Sequence, residues 1–77
     1  MEGNDTRFNL DQYIAMKVKK ARLEEGLKIT DVARISGISQ GMVSKIENAQ
    51  VSTSLETLSR LCTAIGLPIS KLFSDYD

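Results

Sequence analysis

Apolar side chains recur with helical spacing along most of the chain, beginning with residues 11–25. There Ile14, Val18 and Ala21 follow one another at intervals of four and three residues, which places them on one stripe of a helix. Gly26 comes next, and glycine is the usual residue in the left-handed conformation that ends a helix. The pattern predicts a first helix over residues 11–25.

The first ten residues are mostly polar and show no such spacing. We therefore predict a flexible N-terminal tail over residues 1–10 and one domain over residues 11–77. The domain shows no strand pattern, internal repeat or low-complexity segment.

The stretch ITDVARISGISQGMVSKIEN contains two short helical patterns separated by Gly37. One continuous helix fits poorly, because glycine and its serine neighbours are weaker helix formers than the interior of a helix normally uses. We predict a second helix of about eight residues from Ile29, a tight turn at Gly37, and a third helix over residues 40–48 capped by Ser39. The positions expected to face the core are Val32, Ala33, Ser36, Ile38, Val43 and Ile46.

Two further helices complete the pattern. Thr53 and Glu56 have the spacing of a capping box ahead of a fourth helix that ends at Gly66, and Pro68 suits the first turn of a short fifth helix over residues 68–73. The apolar stripe expected on the fourth helix is Leu55, Leu58, Leu61, Cys62 and Ile65. The sequence thus predicts an all-α, compact five-helix bundle that contains a helix-turn-helix.

The composition argues against an enzyme, a metal site or a bound cofactor. The chain has no histidine, one cysteine and no glycine-rich phosphate loop, and Cys62 shares a stripe with leucines, which favours a buried hydrophobic role. No run approaches the roughly 18 apolar residues that span a bilayer, and the N-terminus lacks a signal core. We expect a cytoplasmic protein without membrane contact.

The charges balance over the chain but not along it. Ten basic residues match ten acidic ones, which argues mildly against a nucleic-acid partner. Residues 14–48, however, hold seven basic side chains against four acidic ones, while other acids, Asp11 among them, lie near the two ends, where a flexible segment would swing away from a ligand. This distribution of charge is compatible with a basic face on residues 14–48.

The pieces ARLEEGLKITDVARISGIS, SKIENA and SLETLSRLCTAIGLPISKLF, in this order, resemble the DNA-binding domain of Cro and phage repressors, the XRE family. The resemblance covers residues 14–73. It implies a lambda-repressor-like fold and a transcriptional regulator, more often a repressor, that binds double-stranded DNA as a homodimer on an approximately palindromic operator. SQGMVSKIENAQ resembles the branch in which an effector-binding C-terminal cupin domain follows; that domain is absent from this chain, which we expect to be a fragment of a longer regulator.

The resemblance also implies roles for individual residues. In this family the start of the third helix meets base edges in the major groove, while helix N-termini and the following loop hold phosphates. The residues expected to contact bases are Gln40, Gly41, Ser44 and Lys45. Those expected to contact phosphates are Lys28, Ile29, Thr30, Arg34, Asn48, Gln50, Ser52 and Thr53.

Two further sets have expected structural roles. Arg22 and Glu47 match family positions that form a partly buried ion pair between the first and third helices. The segment GLPISKLFSDY holds more apolar area than one short terminal helix buries, and in the family this region forms a two-fold interface. The expected dimer residues are Leu67, Ile69, Leu72 and Phe73, and Tyr76 belongs to the same segment.

Several roles stay open at this point. Gln40 either bonds to adenine or only solvates the helix start, and Lys45 contacts either a base or only a phosphate. Gly41 either allows close approach of the backbone to DNA, or is a glycine of the first turn that costs little stability and permits an unrelated packing contact. Ile29 stands where the family more often has glutamine, and the loop AQVSTS lacks the family's common basic residue, so we expect weak, salt-sensitive binding by a monomer.

A different class of function competes with DNA binding. Zero net charge and an uncharged loop also fit a protein-interaction module or an antitoxin of the same fold. The surface around the third helix distinguishes the two, since a positive face favours DNA and an apolar face favours a protein partner. Met16 and Met42 are interpreted as packing or surface residues.

Overall fold

The computed structural model describes residues 6–74, and of residues 6–9 it describes the backbone alone. This part of the chain forms five α-helices and contains no strand. The helices are α1 (Thr6–Glu24), α2 (Ile29–Ser36), α3 (Gln40–Glu47), α4 (Leu55–Ala64) and α5 (Ile69–Leu72). The predicted all-α bundle of five helices is confirmed.

The core lies between all five helices. Its buried residues are Ile14, Val18, Val32, Val43, Ile46, Leu58, Leu61, Cys62, Ile65 and Leu72. The apolar stripes predicted for α1 to α3 are therefore correct, and Ala21, Ala33 and Ile38 pack against the same core as partly buried side chains. Removal of this area from water is the main force that holds such short helices in place.

The start of α1 differs from the prediction. The helix begins at Thr6 and not at Asp11, so residues 6–10 of the predicted tail are helical, while residues 1–5 lie outside the described residues. The reason is tertiary packing, because Leu10 and Tyr13 extend the apolar face of α1 toward the N-terminus and lie against the core. The Tyr13 hydroxyl also donates a hydrogen bond of 2.7 Å to the carbonyl of Leu72 and ties α1 to the end of α5.

The start of α4 corrects a second prediction. The cap is Ser54 and not Thr53: the Ser54 hydroxyl accepts from the amide of Thr57 at 3.2 Å. Leu55 was predicted to face the core but is 74% exposed, because it occupies the first position of α4, where little of the bundle covers it. Pro68 occupies the N-cap position immediately before α5 and does not lie within the first turn of that helix.

The turn between α2 and α3 is fixed by three hydrogen bonds. Gly37 adopts a positive φ of 77°, and its amide donates to the carbonyl of Ala33 at 2.9 Å. The Ser36 hydroxyl accepts from the amide of Ile38, and the Ser39 hydroxyl caps α3 by accepting from the amide of Met42 at 3.1 Å. Glycine is favoured at the turn because a side chain strains this backbone conformation. The predicted turn and cap are both present.

A buried ion pair joins α1 to α3. Arg22 Nε lies 2.7 Å from Glu47 Oε2, and Arg22 Nη2 lies 3.0 Å from Glu47 Oε1, so the guanidinium and carboxylate are bonded twice. Their side chains are only 9% and 4% exposed. Arg22 Nη1 also donates to the carbonyl of Leu27 at 2.9 Å, and the hydrogen bond to Glu47 raises the pKa of Arg22 above its usual value. The pair thus fixes α3, α1 and the α1–α2 turn relative to one another.

Three of the helices end in the same hydrogen-bonded motif. After α3, the amide of Gln50 donates to the carbonyl of Lys45 at 2.9 Å, and that of Ala49 donates to Ile46 at 3.1 Å. The equivalent left-handed residues after α1 and α4 are Gly26 and Gly66, whereas Ala49 adopts its φ of 57° with a side chain. The end of α3 therefore carries backbone strain that the other two helices avoid.

Replacement of Arg22 by alanine should lower the free energy of unfolding by about 3–5 kcal/mol, because the Glu47 carboxylate would remain buried without its partner. Urea and thermal unfolding followed by circular dichroism measure the loss. Arg60→Ala is the matched control: it breaks a 3.0 Å pair with Glu56 whose two side chains are exposed, and it should cost roughly 0–0.5 kcal/mol. Equal effects of the two substitutions would contradict the central role of the buried pair.

Ala49→Gly should raise the free energy of unfolding by about 0.5–1 kcal/mol. Glycine relieves the strain at the positive φ, and its greater freedom in the unfolded chain offsets part of the gain. The same unfolding experiments test this expectation, with Ala21→Gly within α1 as a control that should be destabilising. A lower midpoint for Ala49→Gly would show that the alanine side chain makes a compensating contact.

Candidate nucleic-acid interface

Helix α3 has one side against the body of the domain and one side facing solvent. Val43, Ile46 and Glu47 are buried on the inner side. The outer side presents Gln40, Gly41, Met42, Lys45 and Asn48 as exposed residues. This short helix is therefore held by its inner side and by the ion pair, while the start of the helix is accessible to a ligand.

The four residues expected to contact bases all lie on this helix. Gln40, Gly41 and Lys45 are exposed, whereas Ser44 is half-buried. Ser44 is also bonded to Asn48, whose side-chain amide donates to the Ser44 carbonyl at 2.9 Å and to its hydroxyl at 3.4 Å. The structure thus brings the four residues together, and it leaves Gln40 and Lys45 as the long polar side chains that extend from the helix.

The start of α2, where phosphate contacts were expected, already holds a carboxylate. Asp31 Oδ2 accepts a 2.9 Å hydrogen bond from the amide of Lys28, and this bond lowers the pKa of Asp31 below its usual value. The amides of Ile29 and Thr30 lie before Val32, whose amide makes the first backbone hydrogen bond of α2. The side chain of Ile29 packs against the core. An anion at this helix start would therefore meet an ionised carboxylate nearby.

Arg34 lies near the same carboxylate. Its Nη2 atom is 3.5 Å from Asp31 Oδ1, a long contact between two groups that are open to solvent. Lys28 is exposed as well. Because exposed pairs of this kind contribute little, both cations stay available to an approaching phosphate.

The loop after α3 contains no charged residue, and one of its side chains is hydrogen-bonded to α1. Residues 49–54 read AQVSTS, and the Ser52 hydroxyl donates to Asp11 Oδ2 on α1 at 2.9 Å. Gln50 is exposed and Thr53 is half-buried. Asp11 was expected in a tail that swings away from a ligand; that expectation is wrong, because α1 fixes its carboxylate beside this loop.

The ion pair changes the charge that this region presents. Residues 28–48 contain three cations, Lys28, Arg34 and Lys45, and two carboxylates, Asp31 and Glu47. Glu47 is buried against Arg22, so the exposed charges are the three cations and Asp31. The exposed charges of residues 28–48 are therefore net positive, although the chain as a whole is neutral and Asp11 lies beside the loop that follows.

Large exposed apolar side chains lie mostly on other helices. In residues 10–74 they are Met16, Leu23, Ile35, Met42, Leu55 and Ile69, and Met42 alone belongs to α3. The surface of α3 is consequently polar and cationic with a single apolar side chain. By the criterion set from the sequence, this surface resembles a nucleic-acid interface more than a protein-binding face.

The expected dimer residues occupy different environments. Leu72 is 0% exposed within its own chain, so it cannot present a surface to a second copy, and its assignment to an interface is wrong. Leu67 and Phe73 are half-buried against the core, and Ile69 is 37% exposed. Tyr76 lies outside the described residues.

A shallow groove runs between the end of α4 and the start of α5. It has a volume of about 420 Å³ and is lined by Ser59, Cys62, Thr63, Gly66, Leu67, Pro68 and Ile69. Burial raises the pKa of the Cys62 thiol, so the thiol stays protonated and forms an uncharged part of the groove lining. Of the expected dimer set, Leu67 and Ile69 line this groove, and Ile69 is the more exposed of the two.

Within residues 6–74, no helix combines the length and the apolar composition needed to cross a bilayer. The same residues contain no cluster of three histidine, cysteine or acidic side chains arranged to hold a metal ion.

Comparison with known proteins places this arrangement in a family. The family model HTH_3, described as helix-turn-helix, matches residues 18–72, a range that runs from the middle of α1 to the end of α5. The transcriptional regulator ClgR of Mycobacterium tuberculosis is 34% identical over 58 residues, which are 75% of this chain and 52% of ClgR.

Two other relatives match a similar part of the chain. The HTH-type transcriptional regulator SutR of Escherichia coli is 27% identical over 66 residues, 86% of this chain and 37% of SutR. The ImmF control region 10 kDa protein of Bacillus phage phi105 is 38% identical over 55 residues, 71% of this chain and 61% of that protein. The chain thus spans between about a third and three fifths of the length of these relatives. With its helices and turn in the matched order, it belongs to the XRE-type helix-turn-helix family.

Proposed function

We propose that this chain is the DNA-binding part of a transcriptional regulator, and that it acts as a repressor by placing α3 in the major groove of double-stranded DNA. The observation that carries the proposal is the orientation of α3, whose inner side is bonded to the body through Glu47 while Gln40 and Lys45 extend outward. The major groove of B-DNA is wide enough to admit an α-helix held in this way.

The exposed side chains suit the reading of base edges. The Gln40 amide has a donor and an acceptor at the correct separation for N6 and N7 of adenine, and the Lys45 ammonium donates to O6 and N7 of guanine. Both are exposed on the first two turns of α3, which in this geometry lie closest to the bases. Ser44 is half-buried and accepts hydrogen bonds from Asn48, and its own hydroxyl proton is available for a short-range contact.

The phosphate contacts of one domain are few. Lys28, Arg34 and the exposed Gln50 are the side chains best placed for them, and the loop after α3 adds no cation. Asp31 and Asp11 stand at the two ends of this surface as fixed carboxylates. Weak binding by a single domain follows, because few phosphate contacts are available to it, and added salt should weaken these contacts further.

Two domains bound together would recover affinity. The groove between α4 and α5 and the exposed Ile69 supply an apolar surface that a second copy of the chain would cover. A two-fold dimer would place its two copies of α3 about 34 Å apart, one turn of B-DNA, so we expect an operator that is an approximate inverted repeat.

The rival function, a protein-interaction module or antitoxin of the same fold, finds less support around α3. A protein interface is enriched in aromatic and apolar residues at its centre. The outer side of α3 is instead polar and carries Lys45, with Met42 as its one large apolar side chain. The balance of exposed charge favours a polyanionic partner.

Gln40→Ala should weaken binding to the preferred DNA sequence by about 1–3 kcal/mol and leave binding to unrelated DNA nearly unchanged. The preferred sequence comes from selection of bound molecules from a random pool, and affinities follow from fluorescence anisotropy at fixed salt. Gln12→Ala, which removes an exposed glutamine from α1, is the matched control and should change neither affinity. An equal loss on all sequences would assign Gln40 to positioning and not to base recognition.

Ile69→Glu should prevent pairing of domains on the operator without unfolding the chain, because a carboxylate would enter the apolar groove between α4 and α5. Sedimentation with operator DNA and footprinting measure the stoichiometry and the number of protected half-sites. Leu23→Glu places the same charge on an exposed leucine of α1 and serves as control. A wild-type protein that protects a single half-site as a monomer would refute the dimer.

A further inference from the structure

Gly41 is the one glycine within the described residues that lies inside a helix. It occupies the first turn of α3, and its φ is not among the positive values that Gly26, Gly37 and Gly66 adopt. A glycine within a helix costs about 0.5–1 kcal/mol relative to alanine, because it loses more backbone freedom on folding. The backbone conformation at this position therefore gives no reason for glycine.

Packing within the domain gives no reason for glycine either. A Cβ atom built on Gly41 has no heavy atom within 4 Å beyond its chain neighbours and the backbone of its own helix. An alanine would thus fit without moving any neighbour outside the chain neighbours and the helix itself, so no packing contact of this kind requires glycine. The missing side chain leaves the backbone of α3 uncovered at this point of its outer surface, and this uncovered position is called the gap.

The gap lies beside the exposed apolar side chain of the helix. Met42 is 40% exposed, whereas Val43 and Ile46 are buried. Adjacent residues of a helix are about 100° apart around its axis and 1.5 Å apart along it, so Met42 leaves the helix on the flank of the gap and does not cover it. Lys45 follows one turn after Gly41 on the same side. The uncovered backbone of Gly41 thus lies on the exposed side of α3, with Met42 on its flank and Lys45 one turn away.

We propose that the gap at Gly41 and the side chain of Met42 recognise the 5-methyl group of a thymine, so that the operator half-site contains a required T·A base pair. This inference rests on the proposed function. In the major groove thymine alone presents a methyl group beside a carbonyl acceptor, and apolar side chains read that methyl by contact. Glycine lets the base edge approach the helix backbone, where a side chain would hold α3 away, and methionine adapts its shape to the methyl group.

The first experiment removes the methyl group alone. Each thymine of the selected operator half-site is replaced in turn by deoxyuridine, and binding is measured by anisotropy. We expect one position to lose about three- to fivefold in affinity, as for one methyl group withdrawn from apolar contact. Met42→Ala should abolish the difference between thymine and uracil at that position. Met16→Ala, which alters an exposed methionine on α1, should retain it.

The second experiment separates folding from binding. Gly41→Ala should raise the melting temperature, because alanine favours the helix, and should weaken binding to the selected site by about tenfold or more, because the new side chain meets the base edge. Opposite directions of the two changes show that the lost affinity does not come from unfolding. Unchanged affinity of Gly41→Ala would overturn the inference.

The outcomes also distinguish this inference from the proposed function. If the protein binds a selected operator but no thymine responds to uracil, the methyl contact is refuted while DNA recognition through α3 stands. If Met42→Ala keeps the same preference for thymine, the role of Met42 is refuted. If no sequence is enriched and no DNA is bound, the proposed function itself fails.

Discussion

The bidentate ion pair between Arg22 and Glu47 is the constraint on which the orientation of α3, and with it the exposed surface of this helix, depends. Helix α3 has eight residues, too few to persist without tertiary support. Val43 and Ile46 attach it to the core, but apolar contacts are not directional, whereas the fork of Arg22 fixes the carboxylate in one plane. Since Arg22 also holds the carbonyl of Leu27, the same side chain positions the entry to α2. The pair also removes the negative charge of Glu47 from the exposed surface.

The charges around α3 include cations that attract a polyanion and carboxylates that repel it. The buried position of Glu47 leaves Lys28, Arg34 and Lys45 as the dominant charges. Asp31 and Asp11, however, are fixed by hydrogen bonds at the start of α2 and beside the loop after α3. These carboxylates reduce the non-specific attraction of a polyanion, so contacts with bases and a second bound domain would carry a larger share of recognition.

Both ends of α3 depart from the residue that the fold itself would favour. Near its start Gly41 stands where alanine would fit and stabilise the helix, and after its end Ala49 adopts a left-handed conformation that glycine takes after α1 and α4. Residues that differ from the locally favoured type concentrate at functional sites, because selection there acts on ligand binding as well as on stability. That one lies within α3 and the other directly after it agrees with the proposed role of this helix in reading bases.

Helical spacing and glycine positions by themselves determined the number of helices, the turn at Gly37 and most of the core, because these depend on local periodicity and on backbone conformations that glycine allows. Only the tertiary structure decided where α1 begins, that Leu55 is exposed and that Leu72 is buried within its own chain. An apolar stripe shows which side of a helix will be covered, but not which element covers it or where that cover ends. The same limit applies to the Asp11–Ser52 contact and to the gap at Gly41, since both depend on what stands nearby in space and not on the neighbouring sequence.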